Sequence, residues 1–292
     1  MTTVGSVNTL RTLFVSSRPL SWVNTAFPFA AAYFVTTRQI DLVFIIGTLY
    51  FLIPYNLAMY GINDVFDYES DLRNPRKGGV EGALLPPQQH RRTLIAAVVT
   101  NVPFLLILFA VGSPLAGLVL IISVFAVVAY SVAGLRFKER PVIDSLTSST
   151  HFVSPAVFGL VLAGATVTPA LWAILAAFFL WGTASHAFGA VQDIVADREG
   201  GISSIATVFG GRATVRLALA AYLLAGLLLL FTGIPGAIAA ALTLAYAAIV
   251  WPYRSIPDAD AENANRGWRR FLFVNFASGF VVTMILIWYC TR

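Results

Sequence analysis

Two clusters of acidic residues have the type and spacing to do chemistry: Asn63-Asp64-x-x-Asp67-x-x-x-Asp71 and, far downstream, Gln192-Asp193-x-x-x-Asp197. In the first, steps of three and four place Asp64, Asp67 and Asp71 along one helical face, because such neighbours stack over successive turns. Like charges on one stripe repel, so an isolated helix would be destabilised unless a cation reversed the sign. The second cluster repeats the i,i+4 pair as Asp193 and Asp197. Paired carboxylates suit a hard cation, and Mg²⁺ typically takes one or two of them together with phosphate oxygens of its substrate. The histidines His90, His151 and His186 are not at zinc-ligand spacing. The single cysteine, Cys290, excludes an intramolecular disulfide and a cysteine metal cage. The pattern points to magnesium acting on a diphosphate. One aspartate at a span end is ordinary headgroup solvation; three on a stripe with a second pair are not.

Basic residues flank both clusters. Arg73, Arg76 and Lys77 follow the first and Arg198 the second, and each is a candidate for phosphate oxygens, arginine through its bidentate fork. For any one of them the competing reading is membrane topology. Arg18, in Ser-Arg-Pro-Leu-Ser-Trp, reaches toward the same chemistry or snorkels to headgroups. Tyr130-Ser131, with Arg136 and Lys138 beyond, offers hydroxyls and cations for the far diphosphate oxygens; an interfacial tyrosine is the plainer alternative. Asp144, after the turn Arg140-Pro141, reads as a cap of the fifth span, and His151 and His186 as packing residues.

The elements that must carry these residues are membrane spans. Of 292 residues 58% are hydrophobic and 11% charged, against about 25% charged in soluble domains. A span needs about 20 apolar helical residues. The runs at Leu20–Thr37, Leu42–Ile62, Thr93–Gly112, Leu115–Gly134, Val142–Gly164, Pro169–Ala190, Thr214–Thr232, Ile234–Trp251 and Phe271–Tyr289 qualify, which makes nine. Pro28, Pro54, Pro103 and Pro155 fall inside spans, where neighbours must re-satisfy the freed carbonyls. Alternating ten-residue strands of a β-barrel are absent. The first run is too long for a cleavable signal, and no linker divides the chain. The expectation is an all-α, polytopic helix bundle forming a single membrane domain over residues 1–292.

With nine spans, all of the 19 Lys and Arg residues except Arg38 and Arg292 share one side with the amino terminus. That side is then cytoplasmic and the carboxyl terminus outside the cell membrane. All acidic residues except Asp41 follow the same split. Polar chemistry is therefore confined to the cytoplasmic end, with the two aspartate pairs expected to face each other across the bundle mouth. The net charge of +5 is topological, so no nucleic-acid partner is expected. A transporter of anionic solutes would place ionisable groups within its spans near the midplane, and the bare opposite face argues against it. The stretch from Asn63 to Arg92 is long enough to act as a lid over a bound donor.

Taken together, Asn63-Asp64-x-x-Asp67-x-x-x-Asp71, Asp193-x-x-x-Asp197, and Tyr130-Ser131 with Arg136 resemble the UbiA superfamily of intramembrane prenyltransferases, over nearly the whole chain. The resemblance implies a nine-helix bundle around a central cavity. Two Mg²⁺ would be held by Asp67, Asp71, Asp193 and Asp197, with Asn63 and Asp64 in direct or outer contact, and would bind an isoprenyl diphosphate donor. The segment NDVFDYESDLRNPRKGGVEGALL looks most like the lycopene elongases of C50 carotenoid synthesis. That likeness implies dimethylallyl transfer to a lipophilic acceptor, lycopene, drawn from the bilayer lipids. Gly134 stands where many quinone-pathway members have a lysine, which disfavours the alternative of an aromatic quinone precursor. Phe66, Phe125, Tyr130, Phe152, Phe158, Trp181 and Phe188 are candidates to line the cation's cavity.

Overall fold

A computed structural model describes residues 9–72 and 84–291. Its helices are α1 (Thr9–Ser16), α2 (Val23–Thr37), α3 (Leu42–Leu52), α4 (Pro54–Phe66), α5 (Tyr68–Asp71), α6 (Pro87–Val111), α7 (Pro114–Ser131), α8 (Ile143–Leu162), α9 (Pro169–Val191), α10 (Ile194–Glu199), α11 (Ile205–Leu230), α12 (Ile234–Val250) and α13 (Asn265–Cys290). Short 3₁₀ turns lie at Pro19–Ser21, Phe137–Glu139, Trp251–Tyr253 and Asp258–Ala264. No strand occurs among the described residues, so the all-α expectation holds. Eight helical segments among them are long and apolar enough to cross a bilayer. The ninth expected span is shorter than the sequence suggested. Arg18 turns left-handed (φ 49°), Pro19 opens a 3₁₀ turn, and α2 keeps only 15 residues, about 22 Å at 1.5 Å per residue.

The chain forms two compact groups, residues 1–136 with 154–163, and residues 137–153 with 164–292. The first is built on an aromatic core of Phe29, Tyr50, Phe51, Tyr55 and Phe158, all essentially buried. Helices α2 and α3 approach closely because Gly47 faces the Phe29 ring, where a Cβ would lie 2.1 Å from a ring carbon. Pro54 divides the second expected span into α3 and α4. Carbonyls on the turn before Pro54 are taken by side chains: Asn56 Nδ2 donates to Phe51 O (2.8 Å) and Leu52 O (3.1 Å), and Thr25 Oγ1 to Phe51 O (2.7 Å), while Asn101 Nδ2 donates to Pro54 O itself (2.7 Å). Hydrocarbon offers such groups no water, so a broken span survives only with this kind of repair.

The second group centres on Ala184, Phe188, Val191, Val215, Ala218, Tyr222, Tyr246 and Phe271. Small residues let α9 and α11 pack tightly, the usual device of membrane helices. Tyr222 and Tyr246 stack at 5.5 Å, and Ser185 shares a hydrogen bond with the Tyr222 hydroxyl (2.9 Å). Phe158 and Phe188 are 0% and 1% exposed and fill these cores rather than line an accessible cavity, while Phe125 is half exposed on the outside.

Candidate active site

In the first group the acidic stripe lies where α4 ends. The helix stops at Phe66, Asp67 occupies the cap, and α5 carries the chain to Asp71. Asp64, Asp67 and Asp71 are 1%, 6% and 6% exposed, so all three carboxylates of the stripe are withdrawn from the surface. Burying charge in this way is costly unless partners compensate. Asp64 receives Ser16 Oγ on one oxygen (2.7 Å) and Arg18 Nη2 on the other (3.0 Å). The Arg18 guanidinium also covers the Tyr60 ring at 4.3 Å. Asp64 therefore ties the end of α1 and the turn after it to α4.

Asp67 has different company. Asn63 Nδ2 donates to its Oδ2 (2.7 Å) and to Ser131 Oγ (3.1 Å), and Arg136 Nη2 stands 4.0 Å from Oδ1. Asn63 thus spends its amide N–H groups on Asp67 and Ser131, linking the end of α4 to the end of α7. Arg18 (φ 49°) and Arg136 (φ 39°) both sit in left-handed backbone. That conformation costs a non-glycine residue on the order of 1 kcal/mol and is stored where surrounding structure requires it. The structure thus brings together Arg18 with Asp64, and Asn63, Asp67, Ser131 and Arg136 with one another. Tyr130 closes α7 beside Ser131. Arg73, Arg76 and Lys77, and with them the middle of the expected lid, lie outside the described residues.

In the second group α9 ends at Val191, Asp193 occupies the turn before α10, and Asp197 lies in α10. Both carboxylates are half-buried. The Gln192 side chain accepts from Asn265 Nδ2. Lys138 projects from its 3₁₀ turn into this region. Burial pushes its ammonium down to about 8, against the raising fields of Glu139 and Asp197. Arg198, expected on phosphate oxygens, instead donates from Nε and Nη2 to Thr207 O (3.1 and 2.7 Å) and from Nη1 to Asp258 Oδ2 (2.8 Å). Asp144, expected to cap the fifth span, lies in the first turn of α8 and reaches the start of α11: Ile205 N donates to its Oδ2 at 2.7 Å, while Ser145 N donates to Oδ1. His186 is satisfied by Ser145 Oγ at 3.0 Å. Ser16, Tyr60, Thr207 and Asp258 were not expected at either cluster. Their only signal was being polar or aromatic near a span end.

The two clusters offer only oxygen ligands: the amides of Asn63 and Gln192 and carboxylates, without thiolate or imidazole. Among the described residues no three His, Cys, Asp or Glu side chains converge on one point. Apolar helices long enough to cross a bilayer, with acidic and basic side chains gathered at span ends, define an integral membrane protein.

Comparison with known proteins gives the class its name. A profile of the UbiA prenyltransferase family matches residues 25–277. The chain is 58% identical, over 97% of its length, to a C(50) beta-cyclic carotenoids biosynthesis protein of Dietzia sp. strain CQ4, of which it spans 66%. It is 53% identical, over 95% of its length and 97% of the other protein, to a lycopene elongase/hydratase of Corynebacterium glutamicum. Its fold is shared with a UbiA homolog from Archaeoglobus fulgidus bound to DMAPP and Mg²⁺, at a TM-score of 0.66 and 20% identity over 93% of this chain and 99% of that one. The chain belongs to the UbiA prenyltransferase family, and it is a prenyl-transferring membrane enzyme.

Proposed function

We propose that this enzyme transfers a dimethylallyl group from its diphosphate to lycopene, giving C45 and C50 carotenoids. The observation that carries the reading is the buried first cluster, where Asn63 and Arg136 orient Asp67 beside Asp71. The high identity to lycopene elongases over almost the whole chain supports the choice of acceptor.

In this reading Asp67 and Asp71, with Asp193 and Asp197, hold two Mg²⁺, and Asn63 adds its amide oxygen. The bound ions supply Lewis-acid neutralisation of the departing diphosphate. Arg136, Lys138 and the basic run Arg73, Arg76 and Lys77 take diphosphate oxygens and hold that group in a fixed orientation. Tyr130 and Ser131 donate hydroxyls nearby. The allylic C–O bond breaks and its electron pair leaves with diphosphate. The terminal alkene of the acceptor then gives its π pair to the new C–C bond. Loss of a proton or capture of water, as the names of the relatives suggest, discharges the resulting cation. Donor, aspartate clusters and amino terminus lie on the cytoplasmic side, because the basic residues concentrate there.

Membranes containing the protein, incubated with dimethylallyl diphosphate, Mg²⁺ and lycopene, should yield C45 and C50 products by mass analysis. Unchanged lycopene alongside prenylation of an aromatic acceptor would overturn the acceptor assignment.

A further inference from the structure

We propose that Asp258 is a positioning residue for the second aspartate cluster, acting through Arg198. The proposal rests on the reading that Asp193 and Asp197 serve the metal-bound donor. Helix α10 has six residues, far too few to hold itself together, yet it carries Asp197 and follows directly on Asp193. Ile194, buried at 0% exposure, anchors its start. Its end is held by Asp197 O, which accepts Ile202 N at 2.8 Å, and by Arg198.

The partners of Arg198 belong to a break in α11. Gly210 leaves the helical region (φ 78°, ψ 162°). In an unbroken helix the N–H of Gly211 would donate to the carbonyl four residues earlier, that of Thr207. The break separates these two groups and the ion pair occupies the gap. Arg198 Nε and Nη2 donate to Thr207 O (3.1 and 2.7 Å), while Asp258 Oδ1 accepts Gly211 N (2.7 Å). Arg198 Nη1 and Asp258 Oδ2 close the circuit at 2.8 Å. An arginine and an aspartate together replace one missing backbone hydrogen bond. In doing so they join the end of α10 to α11 and to the 3₁₀ turn Asp258–Ala264 that precedes α13.

Gly210 is required twice over. Its backbone lies in the left-handed half of φ space, and a Cβ there would stand 3.1 Å from Asp258 Oδ1. The two charged side chains are 45% and 37% exposed, so their mutual attraction alone is worth little. What they contribute is geometry: two orphaned backbone groups with fixed directions set where the guanidinium sits, and the guanidinium sets the turn that bears Asp193 and Asp197. Donor geometry set by such outer partners commonly changes metal affinity 10–100-fold when removed.

The test uses the full-length protein in detergent, with Asp258→Ala, Asp258→Asn, Arg198→Ala and the double alanine variant. Amide hydrogen exchange without metal or donor should show faster exchange across Asp193–Ile202 in Asp258→Ala, and less change in Asp258→Asn, whose amide oxygen still accepts Gly211 N. Thermal-shift titration with Mg²⁺ and a non-hydrolysable donor analogue should need about tenfold more Mg²⁺ in Asp258→Ala. The double variant should be no worse than Arg198→Ala. Unchanged exchange in Asp258→Ala, or faster exchange with an unchanged Mg²⁺ midpoint, overturns the proposal. Asp193→Ala serves as reference: an unaltered midpoint there would defeat the metal reading itself, while the exchange data still judge Asp258.

Discussion

The two aspartate clusters share an i,i+4 pair and a nearby arginine, and they use that arginine in opposite ways. In the first, Arg18 is drawn in: its partner Asp64 has a side chain with 0% exposure, Ser16 takes the other carboxylate oxygen and Tyr60 covers the guanidinium. In the second, Arg198 reaches out, giving its donors to a broken helix and to an exposed aspartate. A motif match treats the clusters as equivalent, whereas their surroundings make one a buried lock and the other a scaffold at the surface. The difference teaches that an arginine beside an acidic motif is not thereby a phosphate ligand.

If both clusters serve one reaction despite this contrast, Asp67→Ala and Asp193→Ala should each lower prenyl transfer by about a thousandfold, since metal stabilisation of a leaving group supplies several kcal/mol. Assay of membranes normalised for folded protein checks this. Retention of activity in one variant would confine the metal to the other cluster. The contrast itself is sharpened by Asp64→Ala, which leaves Ser16 and the partly exposed Arg18 guanidinium without their carboxylate and should destabilise by about 2 kcal/mol. Arg198→Ala, at an exposed pair, should cost about 1 kcal/mol or less by the same unfolding assay in detergent.

Asp41→Ala lies away from both clusters. Asp41 accepts Phe44 N at 2.8 Å as the cap of α3, so its loss should cost about 1 kcal/mol. That backbone N–H holds the Asp41 carboxyl below the ordinary range. A depressed carboxylate stabilises above its unfolded pKa and loses that contribution as pH falls through the folded value. The gap between wild type and Asp41→Ala should therefore close in acid, seen as converging melting temperatures. Cys290→Ser should be silent in every assay.

The acidic stripe was legible in part: helical spacing groups Asp64, Asp67 and Asp71 and all three are buried, but α4 stops at Phe66, and Asp64 and Asp67 meet different partners. The spans were legible from run length, although Pro54 splits one into two helices, and the turn at Arg18 and Pro19 shortens another to 15 residues. Arg198 could not be read correctly. Its partners Thr207 and Asp258 meet it only because Gly210 breaks α11, and nothing local distinguishes that glycine from the other small residues lining membrane helices. Ser16 and Tyr60 were missed for the same reason: they become partners through packing of α1 on α4.

Binding of a non-hydrolysable dimethylallyl diphosphate analogue, measured calorimetrically with and without Mg²⁺, probes most directly whether the clusters work as one centre. Mg²⁺-dependent binding is expected in the wild type, and its loss in Asp67→Ala and in Asp193→Ala separately. Full Mg²⁺-dependent binding by either variant would contradict a single centre.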